Sequence, residues 1–390
     1  MESSNTGFKA VFIRECRRVL TSKICIWGLI VAPVLVMVIL MYMMNDGLPN
    51  KIPIAVVDHD NSSTSRTLIR QLDAFPKTDI KFKSLSFREA RERMERGEVY
   101  AVLTIPKDFS TDAVSGRQPK LVYYTNNAFL ISGSLLFQDL KTISTLASAS
   151  VGLQTGQARG YTTIQIMPIV QPISVESHPL SNPWLNYSIY LNNIILPAIL
   201  QLLLFMFTVS SFGSEIKLGK GRYLLELSGN SIWKTILGKT LPYTILMTIM
   251  ALLIMSILYY YNQFPLHSGF WPMFANYICL IVASQAFGLI LFGLFKNYRF
   301  ALSIASLVGM VTFSIIGMSF PALAMDGPLQ SVGLLIPMRH FFLIYVDQAL
   351  NGLPLGYSAY HFAALFGFVL ISVLFWGSIK KQLREDVYEP

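Results

Sequence analysis

Six long apolar segments with almost no charge dominate the chain, and they are unevenly spaced. A helix needs about 20 apolar residues to cross the hydrocarbon core of a membrane. Only 14% of the residues are charged and 53% are hydrophobic, which excludes an ordinary soluble domain. The sequence therefore predicts a polytopic α-helical membrane protein with six transmembrane helices. The predicted spans cover residues 24–44, 189–212, 241–261, 273–295, 300–320 and 360–379.

The spacing separates an early single span from a later five-span bundle. Residues 1–23 precede the first span, 24–44. A long polar stretch, 45–188, follows it, and the bundle then occupies 189–379 and leaves a tail at 380–390. We therefore expect one soluble domain inserted after the first span.

Positive charge indicates which side of the membrane each loop faces. Lys and Arg cluster before span one, between spans two and three, between spans four and five, and after span six. The alternate loops carry few: residues 262–272 have none, and 321–359 have only Arg339. Cytosolic loops are enriched in Lys and Arg, so both termini are predicted to be cytosolic in the inner membrane. The net charge of +9 then reflects topology and contact with anionic membrane lipid, not nucleic-acid binding.

Residues 7–23 show apolar side chains at helical spacing, with three arginines off that stripe. This pattern predicts an amphipathic helix on the inner leaflet. A plain positively charged flank of the first span is the alternative, and it explains the arginines but not the stripe. The stripe consists of Phe8, Val11, Phe12, Cys16, Val19 and Leu20.

The polar stretch 45–188 alternates strand and helix patterns, which predicts a small extracytoplasmic α/β domain. It contains no cysteine, so its fold must depend on its core and not on disulfides. The predicted strands are 52–57, 79–83, 99–104 and 120–125, and the predicted helices are 64–74, 86–96, a short one from Pro106 and a long one over 128–153.

Asp58, His59 and Asp60 form the one cluster that invites a metal assignment. No second His or Cys group lies nearby in sequence, and neighbouring side chains on an extended chain point apart. We predict no metal site, and expect a turn after a strand whose Asp side chains cap a helix.

Small residues recur at every fourth position of the fifth span: Ala301, Ala305 and Gly309. Such a face lets two helices approach closely. Packing within this chain and packing against a partner subunit both fit this pattern.

No ionisable side chain lies well inside a predicted span, so a carrier driven by protons or ions is disfavoured. Gly238-Lys239-Thr240 looks like the end of a nucleotide-binding loop, but Trp233 stands where that loop requires glycine. We therefore predict that the chain is not an enzyme and holds no cofactor, and that another protein supplies the energy for any transport.

The cytosolic stretch between spans two and three carries an acid, a glycine-containing turn, a leucine pair and a Gly-Lys that leads into a proline-bearing span. In the order of these features, the chain resembles the permease subunits of type-2 ABC exporters, in the multidrug-exporter branch. It departs from their pattern at Lys217, where a second acid is usual, and at Gly229, where proline is common. The matching residues are Glu215, Gly219 or Gly221, Leu224, Leu225, Gly238, Lys239 and Pro242.

The resemblance implies two paired permeases, either identical copies or paralogues, above two separate ABC ATPase subunits that hold ATP and Mg. Residues 213–240, here called the coupling segment, would dock on the ATPase, and residues 322–352 would form an outer re-entrant pair of helices broken at Pro337. A periplasmic adaptor is a further implied partner. The apolar anchors would be Leu224, Leu225 and Trp233, and the polar contacts Glu215 and Arg222.

The substrate implied by the resemblance is an amphipathic or hydrophobic drug, lipid or peptide-like molecule, moved outward in multidrug efflux. Asn192, Asn193 and Gln201 are candidates to line its route, and equally fit plain hydrogen bonds between helices. A different class of protein is a membrane-anchored adaptor, receptor or envelope scaffold whose outer domain binds a partner without transport. Those chains usually carry much longer outer coiled coils.

Overall fold

The computed structural model describes residues 7–115, 117–172, 176, 178, 181–183 and 185–386. Residues 1–6 of the N-terminal segment and 387–390 of the tail lie outside this description. The chain divides into two compact units. Unit 1 comprises Met1–Asn45 and Pro179–Pro390, and unit 2 comprises Asp46–His178.

Unit 1 contains the helices long and apolar enough to cross a membrane, and in the described chain there are six, as predicted. Two of them are longer than their apolar stretches. Span 2 continues to Lys217, and span 3 already begins at Ile232. Polar side chains therefore lie within these two helices at the ends that meet the coupling segment. Spans 1 to 6 are Lys23–Met43, Tyr187–Lys217, Ile232–Tyr261, Phe270–Leu294, Tyr298–Ile315 and Leu355–Glu385.

Span 2 is a central helix of unit 1, and it packs against spans 4 and 5. Ala301, Ala305 and Gly309 of span 5 are buried within this chain. A Cβ on Gly309 would lie 2.3 Å from Cδ1 of Leu202 on span 2, so a larger side chain has no room there. The small-residue face is therefore used for packing inside the chain.

Two short helices, Gly327–Leu334 and Pro337–Leu350, meet at an angle of 88° between spans 5 and 6. The break predicted at Pro337 is present, because proline starts the second helix at its first position. The Arg339 guanidinium donates from Nη1 to the carbonyl of Ile316, at the end of span 5. This hydrogen bond connects the two short helices to span 5.

The predicted N-terminal helix is confirmed at Phe8–Thr21, but its buried face coincides only in part with the predicted stripe. Its buried residues are Val11, Glu15 and Val19, at intervals of four, whereas Leu20 of the predicted stripe is 69% exposed. This face packs against the start of span 3. A Cβ on Gly238 would lie 2.8 Å from Cβ of Val11, so glycine permits the close approach.

Unit 2 holds a four-stranded sheet in the order β2-β1-β3-β4. β1 runs parallel to both β2 and β3, and β3 pairs antiparallel with β4. All four strands lie where the sequence predicts them. The strands are β1 Ile52–Asp58, β2 Thr78–Ser84, β3 Ala101–Ile105 and β4 Val122–Thr125.

Both faces of β1 are buried, because alternate side chains enter different cores. Ile54 and Val56 pack in one core, and Ala55 and Val57 in the other. Helices therefore cover both faces of the sheet. The helices of unit 2 are Ser63–Asp73, Phe87–Glu95, Phe109–Val114, Leu130–Ala158 and Thr163–Val170, the last of which the sequence did not predict.

The turn after β1 forms as predicted. Asp58 Oδ1 accepts hydrogen bonds from the backbone N–H groups of Asp60 and Asn61, both at 3.0 Å. Its Oδ2 accepts from the Ser65 hydroxyl at 2.8 Å. Asp58 thus uses its carboxylate to fix the start of the following helix.

Candidate coupling site

A short helix, Gly221–Leu227, lies between spans 2 and 3 and is called the coupling helix. Glycines in the left-handed region precede and follow it, with φ of +64° at Gly219 and +72° at Gly229. The Lys220 N–H donates back to the Glu215 carbonyl at 2.8 Å, which is the usual way in which a glycine ends a helix. The two glycines therefore define where the coupling helix begins and ends.

The leucine pair of the coupling helix faces inward. Leu224 is 0% exposed and Leu225 is 3% exposed, and both pack in a core with Val11 and Leu383. The sequence analysis assigned these leucines to direct contact with an ATPase. We revise that assignment: burial of each leucine side chain contributes about 1.5–3 kcal/mol to holding the helix on this chain, and leaves neither leucine free for a partner.

The opposite face of the coupling helix is exposed at Arg222, Tyr223 and Glu226. Trp233, at the start of span 3, is 55% exposed, and its ring meets the edge of Trp376 at 4.2 Å between centroids. Of the residues predicted to contact an ATPase, Arg222 and Trp233 therefore lie on the surface.

Both ends of the coupling helix are attached to other elements of unit 1. The Leu227 carbonyl accepts a hydrogen bond from the Gly7 N–H at 2.7 Å. The Gly221 N–H donates to the Asp386 carboxylate at 3.1 Å, and Arg222 Nε donates to the Arg384 carbonyl at 2.8 Å. The exposed face is thus held between the N-terminal helix and the end of span 6.

Beneath the coupling helix lies a buried cluster of charged side chains, here called the ion cluster. Lys239 is its centre: Nζ lies 2.9 Å from Glu15 Oε2 and 3.0 Å from Glu215 Oε1. The three side chains are at most 2% exposed. Burying a charge is costly unless it is paired, so removal of one partner from this set should be strongly destabilising.

Two arginines and a tyrosine complete the ion cluster. Arg14 Nη2 lies 2.6 Å and Arg18 Nη1 3.1 Å from the Glu215 carboxylate, and the Tyr243 hydroxyl donates to Glu15 at 2.9 Å. Burial opposes the charged form of Arg18, but Glu15 and other neighbours outweigh it and raise the pKa of the guanidinium. The cluster joins the N-terminal helix, the end of span 2 and the start of span 3.

Glu215 was predicted to be a polar contact to an ATPase, and its position in the ion cluster corrects this. An exposed loop acid was expected because the apolar stretch stops at residue 212, but span 2 continues to Lys217. The sequence analysis did not name Glu15, and it named Lys239 only as part of sequence motifs and not as an ion-pair partner. The available signal was Glu15, placed four residues from both Val11 and Val19 on one helix face.

The three amides of span 2 are buried and hydrogen-bonded within the chain. Asn193 Oδ1 accepts from the Tyr259 hydroxyl of span 3 at 2.8 Å, and Gln201 Nε2 donates to Thr312 of span 5 at 3.2 Å. Asn192 Nδ2 donates to Ser188 at 2.8 Å, on its own helix. These contacts favour the structural role of Asn193 and Gln201; contact with a substrate stays a prediction for all three.

The chain is similar to known transport proteins. A family model described as ABC-2 family transporter protein matches residues 23–378, which is most of the chain. Over 80 residues the chain is 29% identical to the linearmycin resistance permease protein LnrN of Bacillus subtilis (strain 168), a stretch that covers 20% of each chain. With six apolar helices of spanning length, the protein is a multi-pass membrane protein and belongs to the ABC-2 family of transporter proteins.

Proposed function

We propose that the chain is the permease subunit of an ATP-driven exporter, and that separate ABC ATPase subunits drive it. It would lie in the inner membrane with both termini cytosolic. Membership of the ABC-2 family supports a membrane component of an ABC transporter.

The observation that carries this proposal is the exposed face of the coupling helix. Arg222, Tyr223 and Glu226 project from a helix whose other face is buried and whose two ends are hydrogen-bonded to neighbouring helices. A partner that moves this face also moves the ion cluster, because Glu215 and the coupling helix are joined by a tight turn. Such a rigid connection suits the transfer of movement from an ATPase to the spans.

We further propose an amphipathic or hydrophobic substrate that moves outward, in multidrug efflux. The relative is named for linearmycin resistance, which supports export of a compound foreign to the cell. A second permease, identical or paralogous, would complete the transporter. A periplasmic adaptor is the partner that unit 2 would bind.

The association with an ATPase is tested by purifying the tagged full-length chain from its native membrane. We expect the wild type to retain an ABC ATPase, and Trp233→Glu to lose it, because a carboxylate replaces an exposed aromatic contact. Trp271→Glu is the matched control, since Trp271 is 74% exposed at the far end of the bundle.

If Trp233→Glu retained as much ATPase as the wild type, Trp233 would not contribute to docking. A wild type that retains no ATPase but does retain an envelope protein would favour the scaffold alternative. Both variants must elute from size exclusion like the wild type, because Trp233 also contacts Trp376.

A further inference from the structure

Unit 2 contains an open cavity of about 810 Å³ at the carboxyl ends of β1 and β2. Asp58 lies at the end of β1, and Lys83 and Ser84 lie at the end of β2. The helix Ser63–Asp73 forms another wall. Because β1 and β2 are parallel, their carboxyl ends lie side by side at one edge of the sheet.

The walls of this cavity carry an excess of positive charge. Arg66, Arg70 and Lys83 line it, and each is exposed to solvent. Arg66 donates to the backbone and side-chain oxygens of Asn61, and Arg70 donates to the Thr67 hydroxyl. Among the described residues, none of the three cations forms an ion pair with a carboxylate.

The one acid in the lining, Asp58, offsets only one of the three positive charges. Both of its oxygens already accept hydrogen bonds, from the turn that follows β1 and from Ser65. Glu89 lies near the rim and accepts from Ser84 at 2.8 Å, but it is paired with Arg93 at 3.6 Å. The lining therefore keeps an excess of positive charge, with three cations against one acid.

Two further properties describe the ligand. The first turn of the helix Ser63–Asp73 adds the partial positive charge of a helix N-terminus beside the cations. The lining also includes the apolar side chains of Val56, Ile69 and Leu85. The cavity volume exceeds that of a small inorganic anion, so space remains for an organic group next to the charge.

We propose that this cavity binds an organic phosphate, recognised by Arg66, Arg70 and Lys83. Guanidinium groups bind phosphate oxygens in pairs, and a phosphate monoester carries about −1.5 to −2 charges at neutral pH. The phosphate belongs either to a lipid headgroup or to a soluble metabolite. This site is independent of the proposed transport, so its test requires no ATPase.

The test is isothermal titration of the full-length chain in detergent with glycerol 3-phosphate, and with glycerol, which lacks only the phosphate. We expect saturable binding of the phosphate and none of glycerol. Arg66→Gln and Arg70→Gln should each weaken binding about tenfold, as expected for loss of one charge-assisted contact. Lys83→Gln should weaken it, whereas the matched Lys81→Gln on the same strand should not.

Equal binding of glycerol, no saturable binding of glycerol 3-phosphate, or unchanged affinity in both arginine variants would overturn the proposal. A variant that unfolds at the same temperature as the wild type is folded. If an arginine variant does not fold, Lys83→Gln is tested in its place. Dihexanoyl phosphatidic acid, a lipid that keeps the phosphate monoester, distinguishes the sources: tighter binding than glycerol 3-phosphate assigns a lipid headgroup, and weaker binding assigns a soluble phosphate.

Discussion

The two ends of unit 1 are held together by different chemistry. At the end that carries the coupling helix, Lys239 joins Glu15 and Glu215 in a fully buried set of ion pairs. At the other end, neutral groups make most of the contacts: Asn276 Nδ2 donates to the Phe341 carbonyl at 3.1 Å, and His340 lies 3.3 Å from His361 between their Nδ1 atoms.

In the histidine pair, two neutral rings can satisfy each other's hydrogen-bonding groups. His340 Nε2 lies 2.9 Å from the Leu334 carbonyl, so Nε2 carries the proton that is donated. In the neutral ring His340 Nδ1 then accepts, and His361 Nδ1 donates. Separating such neutral bonds costs about 1 kcal/mol each, whereas breaking a buried ion pair by removing one partner costs about 3–5 kcal/mol. Removal of one charged partner at the end with the coupling helix is therefore expected to cost more than removal of one neutral partner at the other end.

The largest expected effect comes from Lys239→Met. Without Lys239, the Glu15 carboxylate keeps the Tyr243 hydroxyl and Arg18, whose Nη1 lies 3.7 Å away. Glu215 loses one of its cations. We expect the free energy of unfolding to fall by about 3–5 kcal/mol, as is usual when a buried pair loses one partner. Thermal or chemical unfolding in detergent measures this change.

Two variants sharpen the interpretation of Lys239→Met. Lys234→Met changes an exposed lysine near the start of the same helix and should have little effect. The double change Glu15→Gln and Lys239→Met should destabilise less than the sum of the single changes, because the lost partners belong to one pair. Additive effects would contradict direct coupling between Glu15 and Lys239.

An intermediate effect is expected from Arg339→Met at the opposite end. This change removes the charged donor from the Ile316 carbonyl, at the end of span 5. A hydrogen bond from a charged group contributes about 1.5–3 kcal/mol, so unfolding should show a smaller loss than with Lys239→Met. Lys296→Met, an exposed lysine, is the control. A larger loss for Arg339→Met would reverse the comparison between the two ends.

The smallest effect is expected from Tyr259→Phe, which removes one neutral hydrogen bond to Asn193 between spans 2 and 3. Hydrogen bonds between transmembrane helices contribute about 0.6 kcal/mol on average, so unfolding should change only slightly. Tyr260→Phe, 82% exposed, controls for loss of a hydroxyl. If the free energy of unfolding fell as much as with Arg339→Met, neutral contacts would stabilise this end as strongly as the charged one.

The sequence predicted the helices well and the ion cluster poorly, for a physical reason. An apolar run of membrane length specifies a span from local composition, and the short apolar run of β1, rich in Ile and Val, specifies a strand in the same way. The ion cluster depends on contacts between residues more than 200 positions apart, such as Glu15 and Lys239. No local pattern carries that information.

The coupling segment shows the same limit. Its residue types identify the segment, but burial decides which of them a partner can reach. The resemblance implied that Leu224 and Leu225 anchor an ATPase, but both side chains lie in the core of unit 1. Only the packing of span 6 and the N-terminal helix shows that Tyr223 and Glu226 form the outer face.

The most direct test of ATPase docking uses the photo-crosslinking amino acid p-benzoylphenylalanine at Tyr223, in cells that carry the native membrane partners. Tyr223 is 56% exposed on the coupling helix, and the matched position Tyr260 is exposed at the other end of the bundle. We predict an adduct with an ABC ATPase, identified by mass spectrometry, at position 223 and not at 260. No ATPase adduct at 223, or an equal adduct at 260, would contradict docking on the coupling helix.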